Sequence, residues 1–195
     1  MSTAAITMAL GKQADRADLG ARLRDGEPGA FESLVSLYQG RIARLAYRLL
    51  GWSGDVDDVV QEVFLAALRN AGSFRGEASL WTWLTRITLN RCRTHQRRRL
   101  MWQRLRRVLS RHRPGSSEPA DGGAVRDEMA GAVRAAVAAL PARDREVVVL
   151  FYLEQQPAAE IAALLGTSAN AVEVRLHRAR AKLRIALQKV MADMT

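Results

Sequence analysis

The chain has 195 residues, 48% of them hydrophobic and 26% charged, with a formal net charge of +10 and a sequence pI near 11.0. That length suits one large domain or two small ones, and the composition is ordinary for a folded soluble protein. The single cysteine, Cys92, excludes an intrachain disulfide and a cysteine-based zinc site, and no apolar run is long enough to span a membrane.

Ala, Leu, Arg and Val dominate while Tyr, Phe and Ile are sparse, which favours helix over sheet. The charge excess calls for a polyanionic partner, either nucleic acid or an anionic membrane surface. Its distribution is sharper than its total. Between Glu77 and Glu118 there is no acid, while Arg86, Arg91, Arg93, Arg97, Arg98, Arg99, Arg104, Arg106, Arg107, Arg111 and Arg113 all fall there. A solvated helix face is the plain alternative, but an unneutralised arginine run of this length suits phosphates. Residues 1–20 lack the apolar core of a signal peptide, so the expected compartment is the cytoplasm.

In chain order, residues 1–17 are small and polar and read as a mobile tail. A helical pattern starts at Asp18, is interrupted at Gly26, and resumes after Pro28. Phe31, Leu34, Val35, Tyr38, Ile42, Leu45, Ala46 and Leu49 then recur at helical spacing, a core-facing stripe that ends at Gly51–Gly54. A second helix is expected from about Asp55 to Asn70, with Val59, Val60, Val63, Phe64, Ala67 and Leu68 inward and acids at its start. Residues 71–79 carry Gly72 and Gly76 and read as a loop.

A third helix runs from about Leu80 to Arg99 or beyond, aromatic in its first half and basic in its second. Pro114, Gly115, Ser116, Ser117, Pro119, Gly122 and Gly123 then mark a flexible linker. Beyond it come an Ala-rich helix (125–140), a break at Pro141, a helix over 142–153 and a short one over 157–165. Gly166 makes a turn, and Thr167 or Ser168 caps a last long helix to about Met191. The fold class is therefore all-α, with two small helical domains, 18–100 and 125–191, joined by a linker over 101–124.

The short helix ending in Leu165, the turn at Gly166 and the next helix have the layout of a helix-turn-helix. Val172, Leu176, Ala179 and Leu183 share the inward face of the second helix. Its outward face offers Asn170, Glu173, Arg175, His177, Arg178 and Arg180, types that reach base edges or phosphates. Any helical hairpin can show this pattern by chance.

The wider run, Leu140 to Arg184, carries L-P-x-x-x-R-E-V, E-I-A-x-x-L-G and V-x-x-R-L-x-R-A-R, and it resembles region four of bacterial sigma factors. Upstream, D-x-x-Q-E-x-F (Asp58 to Phe64) and F-R-x7-W-L-x-R-I-x-x-N (Phe74 to Asn90) resemble sigma region two. With regions two and four alone, the chain is similar to extracytoplasmic-function (ECF) sigma factors over roughly residues 25–188.

The resemblance implies promoter-specific transcription initiation, with core RNA polymerase and promoter DNA as partners and an anti-sigma factor as a further one. Asp58, Gln61 and Glu62 would contact the polymerase beta-prime clamp, and region four the beta flap. Phe74, Arg75, Trp81, Asn90, Arg93, Thr94 and Arg97 would hold the −10 element. Ser168, Asn170, Glu173, Arg175, His177, Arg178 and Arg180 would read the −35 element. Trp83 suits the core better than DNA, and Trp81 can face either way.

The family often has a basic residue followed by Ser where this chain has Glu173 and Val174. Glu accepts from cytosine but repels phosphate, so no −35 sequence carries over by analogy. Neither an active site nor a cofactor nor a resident metal is expected. Two rivals stand beside this reading. One is a dimeric helix-turn-helix regulator acting without polymerase, which has no use for Asp58, Gln61 and Glu62. The other is a nuclease holding metal on Asp55, Asp57, Asp58 and Glu62, for which no phosphate-cradling loop or His cluster is present.

Overall fold

The computed structural model describes residues 18–51, 56–109 and 125–193. The expected mobile tail, Asp55 and the Pro/Gly-rich stretch 110–124 lie outside them. Among the described residues there are helices and turns and no strand. Helix α1 covers 18–24, followed by α2 (Ala30–Leu50), α3 (Val56–Arg69), a 3-10 turn (Ala71–Ser73) and α4 (Leu80–Leu109). Then come α5 (Val125–Ala139), α6 (Ala142–Val148), a π turn (Val149–Leu153), α7 (Ala158–Leu165) and α8 (Ala169–Asp193). None of the described helices is long and apolar enough to cross a membrane.

Two compact units divide these elements, the first holding residues 18–46 and 56–91. Its core follows the helical period of the sequence. Leu34, Ile42 and Leu45 of α2, Val59 and Val63 of α3, and Leu84 and Leu89 of α4 are fully buried. Phe31 meets Phe64 edge-on at 6.3 Å, an arrangement that suits aromatic quadrupoles. Asp57 and Asp58 stand in the first turn of α3, where they complement the helix dipole. Leu68 departs from the expected core stripe. It is 49% exposed, because the buried Val59, Val63 and Phe64 face turns the end of the helix so that Leu68 points to solvent.

The second unit holds residues 47–51, 92–109 and 125–193. Val137, Leu140, Val148 and Ala179 form its core with Leu183 packed against them. The α5–α6 corner is pinned by Arg145, whose side chain is buried. It donates to the carbonyls of Ala138 (2.6 Å) and Leu49 (2.9 Å), so its N–H groups are not left dry. Burial lowers the pKa of this guanidinium, and the neighbouring Glu146 carboxylate opposes that shift.

One open boundary is fixed and one differs from expectation. Helix α4 runs on to Leu109, nine residues into the expected linker. Residues 100–109 contain neither Gly nor Pro and are mostly Leu, Arg, Met and Gln, all good helix formers. The helix expected over 142–153 is α-helical only to Val148. Beyond it one turn widens, with the Glu154 N–H bonding the Val149 carbonyl at 3.0 Å. The turn ends at Gln155, whose φ is +53°, a left-handed conformation that few side chains adopt.

Candidate nucleic-acid and polymerase interfaces

Helix α3 buries Val59, Val60, Val63, Phe64, Ala66 and Ala67, which leaves the opposite side to Asp58, Gln61 and their neighbours. Asp58 and Gln61 are exposed and Glu62 is half-buried. Leu65, 51% exposed and four residues from Gln61, and Leu68, three residues further on, continue this side. Two adjoining leucines on a polar face form an apolar centre with a charged rim, the anatomy of a protein contact. The expectation named only the polar members, because a leucine on a helix defaults to the core.

The loop after α3 is ordered by local bonds. Asn70 Nδ2 donates to the Ala66 carbonyl at 2.7 Å, and Ser73 Oγ donates to the Asn70 carbonyl at 2.7 Å. Ser79 caps α4, its Oγ accepting the Thr82 N–H at 3.0 Å. Between these anchors lies an open cavity of about 160 Å³ lined by Phe74, Arg75, Glu77, Thr82, Trp83 and Arg86, among others. That volume is close to the roughly 150 Å³ that holds a benzene ring. Its wall combines an aromatic face, two arginines, a hydroxyl and one carboxylate, Glu77, a mixed lining that suits a single unstacked base with its phosphate on the arginine side.

One expected −10 contact is corrected here, and a second is placed differently. Trp81 is a core residue, 9% exposed. Tyr38 stacks on its ring at 6.2 Å with 7° between planes, and the Arg41 guanidinium lies 3.7 Å from the ring centroid. A ring buried to this degree has little face left for a base. Phe74 is also buried and contributes one wall of the cavity. Its ring packs on Trp83 at 5.4 Å and against Gly20 of α1, where any Cβ would overlap it. Trp83, expected in the core, is half-buried and lines the cavity.

Of the remaining −10 candidates, Arg75, Asn90 and Arg97 are exposed and Thr94 is half-buried. Arg93 is half-buried and bonded. Its Nε and Nη2 each donate at 2.8 Å to the two carboxylate oxygens of Glu146, a bidentate pair. That hydrogen bonding raises the pKa of Arg93 above its ordinary value. Nothing in the spacing of Arg93 and Glu146, 53 residues apart, announces the pair.

The second unit presents the helix-turn-helix. Gly166 ends α7 in a left-handed conformation, φ +64°, the usual helix-stop for a residue without Cβ. Ser168 Oγ accepts the Ala171 N–H at 3.2 Å and starts α8. Val172, Leu176 and Ala179 are fully buried. Ser168, Asn170, Glu173, His177, Arg178 and Arg180 are exposed, and Arg175 is half-buried. Arg180 is held in place, its Nε donating to the Tyr152 hydroxyl at 2.7 Å beside the Phe151 ring. Tyr152 sits in the π turn, and sequence periodicity gives no sign of this partnership.

Comparison with known proteins follows the same division. Residues 34–100 match sigma-70 region 2, and residues 130–183 match sigma-70, region 4. The ECF RNA polymerase sigma-E factor of Escherichia coli (strain K12) is 32% identical over 178 residues, covering 82% of this chain and 87% of that protein. The solved structure of CnrH in complex with the cytosolic domain of CnrY is 31% identical, with a TM-score of 0.63 over 89% of this chain and 97% of that one. The sigma factor RpoE of Bartonella quintana, solved with the anti-sigma factor NepR, shares the fold at 22% identity, with a TM-score of 0.65 over 82% and 98%. Both sigma-70 regions in their proper order, and a relative of this identity along most of both chains, make this protein a member of the ECF RNA polymerase sigma factors of the sigma-70 family.

Proposed function

We propose that this sigma factor binds core RNA polymerase through the outward side of α3, and that its DNA contacts lie on the cavity, on α4 and on α8. In this reading residues 18–100 act as the unit for polymerase and the −10 element, 101–124 as the linker, and 125–191 as the unit for the −35 element and the beta flap. Asp58, Gln61 and Glu62, joined by Leu65 and Leu68, meet the beta-prime clamp. One unpaired −10 base enters the cavity beside Trp83, Arg75 and Arg86, and Asn90, Thr94 and Arg97 follow the strand along α4. Asn170, Glu173, Arg175, His177, Arg178 and Arg180 face the −35 duplex.

The observation that carries this reading is the cavity itself. An aromatic ring and two arginines around a ring-sized space, at the start of an acid-free basic helix, fit single-stranded DNA better than a folded-core void. The chain itself catalyses nothing, since the polymerase performs the phosphoryl transfer, and it works in the cytoplasm where that enzyme is. By analogy with RpoE bound to NepR, an anti-sigma factor controls it. Run-off transcription with core polymerase, with permanganate mapping of unpaired thymines, tests the proposal. Start sites with thymines unpaired near −10, lost in Trp83→Ala and Arg86→Ala, are expected. Start sites that form equally well without both residues would remove the cavity from the mechanism.

A further inference from the structure

Two adjacent residues on the outward side of α8 are explained neither by packing nor by attraction to phosphate. Glu173 is exposed and negative on a helix that is otherwise cationic outward, and a carboxylate there repels the DNA backbone. Val174 is 41% exposed, whereas the inward Val172, Leu176 and Ala179 are fully buried. Both belong to the second turn after the Ser168 cap, the N-terminal part of a recognition helix that meets base edges. The cations stand farther along. Arg175 is half-buried, Arg178 lies a turn later, and Arg180 is tied to Tyr152.

The chemistry of the pair is specific in the major groove. A carboxylate accepts from the N4 amino group of cytosine, which no other base offers in that place without an adjoining acceptor. An exposed isopropyl group has one apolar counterpart on a base edge, the C5-methyl of thymine. Consecutive helical residues are offset by 1.5 Å along the axis and about 100° around it, so the two side chains reach neighbouring base pairs. We propose that Glu173 and Val174 determine −35 specificity, Glu173 reading a cytosine and Val174 a thymine at the adjacent base pair. This rests on the assignment of α8 to duplex DNA made above.

The test uses the full chain with core RNA polymerase and selection from promoters randomised across the −35 region. Wild type should select cytosine and thymine at adjacent pairs. Glu173→Gln should exchange cytosine for adenine at one of them, by roughly five-fold or more, because an amide pairs with adenine N6 and N7. Val174→Ser should lose the thymine preference. Replacing that thymine by uracil, which deletes only the methyl, should weaken wild type roughly four-fold and leave Val174→Ser unchanged. Arg178→Ala reports on the underlying assignment. If it weakens −35 binding while wild type, Glu173→Gln and Val174→Ser all select one motif, the proposed readout is overturned and α8 stays on DNA. If Arg178→Ala also binds and selects as wild type does, both the readout and the assignment of α8 fall.

Discussion

Trp81→Ala separates a core tryptophan from a DNA-stacking one. The ring is covered on one face by Tyr38 and approached at 3.7 Å by the Arg41 guanidinium, and little of it reaches solvent. Truncating a buried tryptophan costs about 3–5 kcal/mol. The lost stack and cation contact, about 0.5–1.5 and 0.5–1 kcal/mol, lie within that figure. Against a total stability of about 5–15 kcal/mol, such a loss leaves the fold marginal. Urea unfolding followed by far-ultraviolet circular dichroism should therefore show a large fall in midpoint. Trp81→Phe keeps a ring for Tyr38 and Arg41 and discards an indole N–H that finds no hydrogen-bond partner among the described residues. It should cost under about 1.5 kcal/mol and open promoters normally. A Trp81→Ala protein with an unchanged urea midpoint but no permanganate-reactive −10 thymines would refute this reasoning and return the ring to DNA.

Gln61→Ala and Leu65→Glu should each weaken core polymerase binding, the second roughly ten-fold or more by removing an apolar contact, with unfolding shifted by no more than about 0.5 kcal/mol; fluorescence anisotropy with labelled chain reads this. Arg93→Ala should lower stability by about 3 kcal/mol in urea titrations, because it leaves the buried Glu146 carboxylate unpaired, and Arg93→Lys should fall between it and wild type. Burial first, and then the negative Glu146, push the Cys92 thiol up to about 12, so a disulfide reagent at pH 8 should label it only as fast as the chain unfolds. The raised thiol favours the folded state fully below its ordinary pKa near ~8.5, and that contribution should fade as pH climbs from there toward 12. Gln155→Gly should raise the thermal midpoint, since relief of about 1–2 kcal/mol at φ +53° exceeds the roughly 0.5–1 kcal/mol that glycine loses in chain entropy.

The helices were legible because their inward faces repeat every three or four residues and burial follows that period. Leu34, Tyr38, Ile42, Leu45 and Leu49 in α2, and Val172, Leu176 and Ala179 in α8, are all buried as the spacing requires. Gly166 and Ser168 stop one helix and start the next through backbone and hydroxyl chemistry that needs no tertiary partner. The π turn was not legible. Its widening moves Phe151 and Tyr152 round the axis to meet Arg180, a contact 28 residues away in sequence, and periodicity holds no information about it.

The site was legible to the extent that charge and periodicity define it. Asp58, Gln61, Asn170, Glu173 and Arg178 are outward because the apolar residues beside them claim the opposite side. Aromatic residues broke the inference. Trp81 and Trp83 are two positions apart, so on one helix they point about 160° from each other, and only one of them can face the core of the first unit. Helical phase alone favours neither. The decision lies in α2, where Tyr38 and Arg41 offer Trp81 a stacking partner and a cation, and in α1, where Gly20 lets Phe74 sink until its ring supports Trp83 from the other side. Tyr38, Arg41 and Gly20 lie 40 or more residues upstream of the tryptophans they orient, and no spacing rule reveals them. In the proposed reading a base in the cavity meets Trp83 and Phe74 rather than Trp81, because α2 has already claimed Trp81.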